Sequence, residues 1–166
     1  MKTLAAFAGL LLVAACQAPP PAMNEAEIAQ IEAEVLQWAE EWLDSYEPKT
    51  PEDLCTANLA LIHPDHVVRV SGGAPMRKAD WFDWCMGPQQ NYRGYTGSWT
   101  ETDVRVLSHD AAVFLGQASG TWEHADGRFI RYPSSWQLML VERTEDSWGM
   151  SILQYSNGPS EVVEGG

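Results

Sequence analysis

Along the first half of the chain apolar residues return every three or four positions, and along the second half every two. Ile28, Ile31, Val35, Trp38 and Trp42 fall on one stripe of a helix, with Glu25, Glu32, Glu40 and Asp44 on the opposite, wet face. Asn24 has the character of an N-cap, with Glu27 three residues on as its capping-box partner, so the helix is expected from there to about Ser45. Thr50-Pro51-Glu52-Asp53 starts a second helix: Thr50 caps, Pro51 takes the first turn, and the acids face the positive helix end. It stops at His63-Pro64, because the residue before a proline is pushed out of helical geometry. A short strand from His66 to Val70, a Ser71-Gly72-Gly73 turn and a third helix from Arg77 to Cys85 follow, the last bearing Trp81, Phe82 and Trp84.

From Tyr95 the period is two. Four runs, Tyr95 to Leu107, Ala111 to Glu123, Arg128 to Val141 and Trp148 to Ser156, are separated by Ser108-His109-Asp110, Asp126-Gly127 and Glu145-Asp146. Separators this short and polar are hairpin turns, which make the strands antiparallel neighbours. The fold class is therefore α+β, with about three helices packed on one face of a curved antiparallel sheet, and no βαβ repeat. The expected division is a single domain over 24–158 and an unstructured tail over 159–166.

The first twenty residues change the picture of where the protein resides. Lys2 precedes an apolar run from Leu4 to Val13 that is too short to span a bilayer and has the length of a signal-peptide core. The run ends in Val13-Ala14-Ala15-Cys16, which resembles the lipobox of bacterial lipoproteins. That resemblance implies removal of residues 1–15, acylation of Cys16 and a membrane partner reached through the lipid. The alternative is an ordinary secretory signal in which Cys16 is only a small residue near the cut. Gln17 in the next position is similar to the outer-membrane sorting pattern, which implies a periplasm-facing outer-membrane site. Residues 16–23, with Pro19-Pro20-Pro21, form an extended spacer.

Of 166 residues, 23 are Asp or Glu and 10 Lys or Arg, for a formal charge of −13. Phosphate binding needs clustered cations, so a nucleic-acid partner is not expected. Eight tryptophans mean either a bulky core or an aromatic-lined cavity. Cys55 and Cys85 remain once Cys16 is lipidated. They either pair across a loop, as leftover thiols often do in an oxidising compartment, or stay buried and inert. No CxxC or CxxH spacing points to a metal site, and no nucleophile elbow, P-loop or dinucleotide fingerprint is present, so neither covalent nor cofactor-driven catalysis is expected.

The element order, the His63-Pro64-Asp65 helix end, the strand beginning Val67-Val68, Arg131 on the third run and the Trp148-Gly149-Met150-Ser151-Ile152 opening of the last strand resemble the nuclear transport factor 2-like fold, in particular its SnoaL-like and association-domain-like members. The resemblance covers about Asn24 to Ser156 and implies a cone with a cavity between curved sheet and helices. That fold hosts isomerases, cyclases, hydrolases, dehydratases and inactive binding modules, so it does not select an activity. Its association-domain members often carry a histidine where Gln154 stands here, and an amide cannot titrate.

The expected ligand-binding residues are the rings Trp38, Trp42, Trp81, Trp84, Trp99, Trp122 and Trp136, with Gln154 as a hydrogen-bonding group beside them. The same rings could instead fill the space and leave no pocket. Candidate acid–base groups are Asp65 and His66 beside His63, and Asp103, which with Glu101 shares strict alternation with Trp99. Each has a plainer reading, as a helix end, a strand start or an exposed acidic face. Arg131 meets either an anionic ligand group or Glu123 across its hairpin. The leading expectation is a cofactor-free binding module for a small apolar ligand. Its alternatives are a cofactor-free isomerase, cyclase or hydratase, and a homodimer or envelope-docking module using the sheet.

Overall fold

A computed structural model of the chain describes residues 22–47, 50–65, 67–68 and 76–163. Residues 1–21, with Cys16 among them, His66 and the expected Ser71-Gly72-Gly73 turn lie outside the described residues.

Helix α1 (Glu25–Asp44) begins with the reciprocal cap that its sequence carries: Glu27 N donates to Asn24 Oδ1 at 3.0 Å, and Asn24 N donates to Glu27 Oε2 at 2.8 Å. Its apolar stripe is buried at Ile31, Val35, Trp38 and Trp42. Burial of each large apolar side chain contributes roughly 1.5–3 kcal/mol, far more than helix propensity does. Polar ties then fix α1 against the sheet. Trp99 Nε1 donates to Ala39 O at 3.1 Å, and Glu34 accepts from both Arg143 (3.0 Å) and Trp148 Nε1 (3.2 Å). The Arg143 guanidinium also lies 4.4 Å from the centre of the Trp148 ring.

Helix α2 (Pro51–Ala60) starts with Thr50 accepting from Asp53 N, and ends where the chain joins the edge of the sheet. There Ile62 bridges to Met150, His63 N donates to Met150 O at 3.0 Å, and Met150 N donates to Leu61 O at 2.9 Å. A Cβ on Gly149 would sit 2.9 Å from the His63 backbone, so only glycine lets the two segments approach this closely. Strands β1 (Val67–Val68) and β2 (Met76–Arg77) form a small ribbon that leads into α3 (Lys78–Gln89). Helix α3 runs one turn past Cys85, where the sequence reading ends it. A disulfide joins Cys55 of α2 to Cys85 of α3, with the Cα atoms 5.8 Å apart.

The four period-two runs are β3 (Tyr92–Ser108), β4 (Ala111–His124), β5 (Phe129–Arg143) and β6 (Trp148–Asn157), paired antiparallel in that order. The expected tail contains a further strand, β7 (Glu161–Val163), which pairs with Phe129–Arg131 of β5. It is too short to show a period in the sequence. Strand β7 continues the line of β6 past a break: Gly158 N donates to Ser134 O there, and β5 carries an extra residue against β4 between Tyr132 and Ser135. Pro133, which has no N–H to place in a ladder, sits in that irregularity. The sheet bends at this level, and the bend holds the concavity.

Candidate functional site

A cavity of about 290 Å³ lies between the bent half of the sheet and the ends of α1, α2 and α3. Its floor depends on a glycine pair. Gly97 and Gly120 are direct partners across β3 and β4, and a Cβ on either would fall within about 2.1–2.4 Å of the Tyr95 ring. With both side chains missing, the phenol lies down on the sheet rather than standing in the cavity. Trp122 packs beside it at 4.9 Å between ring centres, and Tyr46, just after α1, meets both rings edge-on at 5.6–5.8 Å. The α3 wall is Trp81 against Trp84, 5.1 Å apart.

The polar groups come from every wall. Asn58 of α2 is buried and bonded to Ser45; Gln137 of β5 accepts from the indole of Trp42 at 3.1 Å. His124, at the end of β4, lines the rim together with the phenols Tyr132 and Tyr155. Both Tyr132 and Ser135 face inward because of the extra residue between them. Burial raises three of the cavity's phenols: Tyr95 is pushed up to about 12, Tyr155 rises, and Tyr46, crowded also by Tyr95, rises well beyond the ordinary tyrosine range. They remain neutral donors. Among the described residues no Asp, Glu, Lys or Arg lines the cavity.

Of the rings read from the sequence, Trp81, Trp84 and Trp122 line this cavity. Trp42 and Trp38 are core residues behind it, and Trp99 is half-buried against Phe114 with its N–H spent on α1. Trp136 and Gln154 lie on the outer, convex face, as do Glu101 and Asp103. The reason is in the ladder. Trp99 pairs with buried Ala118, but after an irregularity at Thr100 it is Glu101 that pairs with Gln117, one position on. One inserted residue reverses the alternation, so Trp99 faces inward while Glu101 and Asp103 face out. Asp103 lies 3.5 Å from Arg105 in solvent, Asp65 is exposed at the α2 end, and Arg131 is exposed opposite Thr121. None of these stands at the cavity.

Tyr46, Asn58, Tyr95, His124, Gln137 and Tyr155 were not among the expected site residues. For two of them a signal existed. His124 is two residues beyond Trp122, and Gln137 two before the core residue Met139, so each shares an inward face with a residue of apolar character.

No protein-family model matches the chain, and no curated protein does. Solved structures do resemble it. A candidate scytalone dehydratase from Novosphingobium aromaticivorans superposes with a TM-score of 0.70 at 11% identity, covering 86% of this chain and 93% of its own. A hexachlorocyclohexane dehydrochlorinase from Novosphingobium barchaimii gives 0.67 at 12% identity, covering 86% and 96%. A ketosteroid isomerase-like protein from Erwinia carotovora gives 0.62 at 18% identity, covering 82% and 100%. At such identities the likeness establishes the fold alone: the chain has the cone-shaped nuclear transport factor 2-like architecture.

Proposed function

We propose that the protein takes a small aromatic molecule into this cavity and moves a proton on it without a cofactor, as an isomerase, hydratase or lyase does, with His124 as the proton acceptor. The observation that carries the reading is an open, aromatic-walled cavity lined, among the described residues, by the His124 imidazole and by the phenols of Tyr46, Tyr95 and Tyr155, which burial keeps un-ionised. Imidazole is the usual general base near neutral pH, and neutral phenols donate hydrogen bonds to a developing oxyanion. Dehydrochlorination and dehydration, the reactions named for two of the similar structures, remove a proton from carbon, and the third structure is named as similar to a ketosteroid isomerase.

The test uses 2-tetralone, an aromatic ketone with acidic C–H bonds, in deuterated water. NMR should read exchange of its α-protons about 10²–10⁴-fold faster than in buffer, the range of general-base catalysis. His124→Gln should return the rate to that of buffer while equilibrium dialysis still shows binding. A bound but unexchanged probe would leave a binding module, the reading the sequence placed first.

Two further readings complete the proposal. The chain is held in the bacterial cell envelope, on the outer membrane facing the periplasm, by acyl chains on Cys16; Cys16→Ser should move it from the membrane to the soluble fraction. It also pairs with a second copy through the outer sheet face, where Trp136, Leu138 and Ile152 stand exposed.

A further inference from the structure

Of the four amides that line the cavity, two, Asn58 and Gln137, are held in orientations that their buried partners dictate. Ser45 gives its hydroxyl hydrogen to Trp42 O at 2.6 Å, so its oxygen has only lone pairs left to offer. The Asn58 atom facing it at 2.5 Å is therefore the amide nitrogen, which also lies 3.4 Å from Ser45 O. The Asn58 carbonyl oxygen is what remains. Indole nitrogen only donates, so the Gln137 atom 3.1 Å from Trp42 Nε1 is the amide oxygen, and the Gln137 NH2 is what remains.

Among the described residues nothing bonds to either remaining group, although Asn58 is only 1% exposed. One cavity thus presents a fixed acceptor from a helix and a fixed donor from the sheet, tied to each other through Trp42. The walls around them are largely aromatic, and among the described residues they hold no Asp, Glu, Lys or Arg. An ionic occupant would lose its hydration and find no carboxylate, ammonium or guanidinium to pair with, and a purely apolar one would seal both amide groups from water unpaired.

We propose that the cavity selects an uncharged, planar aromatic molecule that carries both a donor, for Asn58 Oδ1, and an acceptor, for Gln137 Nε2, as a lactam or aromatic amide does. The proposal rests on the reading that the cavity takes a small molecule, and it departs from the apolar ligand that the tryptophans alone suggest. Proton transfer by His124 is not required for it.

Three probes of one ring size separate the terms: the bicyclic lactam isoquinolin-1-one, naphthalene and 1-naphthoate, each measured by equilibrium dialysis against the full chain. The lactam should bind at least about tenfold tighter than naphthalene, the value of one well-made hydrogen bond, and naphthoate weakest of all. Gln137→Glu keeps an acceptor for Trp42 but replaces the NH2, and should erase the lactam's advantage while naphthalene binding stays. Gln137→Met supplies the same comparison without an added charge. Equal binding of lactam and naphthalene, or tightest binding of naphthoate, would overturn the amide selection and leave the cavity reading standing. Binding of none of the three would remove the cavity reading, and this inference with it.

Discussion

Tyr95 shows how much of the site rests on what is missing from two positions. Its ring occupies the volume that Cβ atoms of Gly97 and Gly120 would need, so a methyl group at Gly120 has to drive the phenol off the sheet and into the cavity. Gly120→Ala should cost about 1–3 kcal/mol in denaturant unfolding, the usual penalty of overpacking, and should weaken probe binding in parallel. In a double-mutant cycle with Tyr95→Ala most of that penalty should vanish, because the atoms that clash are gone. The same ring sets an alkaline limit. A phenol whose folded pKa stands at about 12, above an unfolded value near 10, binds more protons when folded across that window. The Tyr95 contribution to stability is therefore intact below about pH 10 and is lost as pH rises from there toward 12. Tyr95→Phe should lessen the alkaline fall, to which Tyr46 and Tyr92, also raised by burial, contribute, as read by thermal unfolding at a series of pH values.

Helix α3 supplies one wall of the cavity and is tied to α2 by Cys55–Cys85, a link that closes a loop across 30 residues of sequence. The paired variant Cys55→Ala/Cys85→Ala should lose roughly 3 kcal/mol of stability. Hydrogen exchange should speed up over Lys78–Gln89 more than over α1, whose ties to the sheet do not involve the disulfide, and probe binding should weaken. Elements of this length are the part of the fold that the sequence makes legible. Asn24 and Glu27, Thr50 and Pro51, and the hairpin turns announce their ends locally, and the period of the apolar residues distinguishes helix from strand. The site is less legible because it depends on which face a strand residue takes, and that depends on pairing with distant residues. The irregularity at Thr100 sends Asp103 outward, and the one between Tyr132 and Ser135 turns both inward. Neither announces itself in the alternation of a single strand. Cys55 and Cys85 illustrate the same limit, since a bond between them depends on a separation that only the packing of α2 on α3 sets.

At the scale of the whole molecule, an acidic chain with a formal charge of −13 presents an apolar strip on the face away from its cavity. Leu138 and Ile152 are 44% and 45% exposed, and Trp136 extends the strip along β5. Two copies meeting face to face through a twofold axis would cover the same residues on each side, as an isologous contact requires. Their like charges oppose the approach, and salt screens that repulsion over a Debye length of about 8 Å at physiological ionic strength. Sedimentation should therefore show a dimer that strengthens as salt is raised, the opposite of an association held by ion pairs. Leu138→Lys places a cation in the strip without touching the core, and should yield a folded monomer. The sheet lies between Leu138 and the cavity, so that variant should retain its affinity for the lactam probe; a parallel loss would mean that pairing and the cavity are coupled through the bend at Pro133.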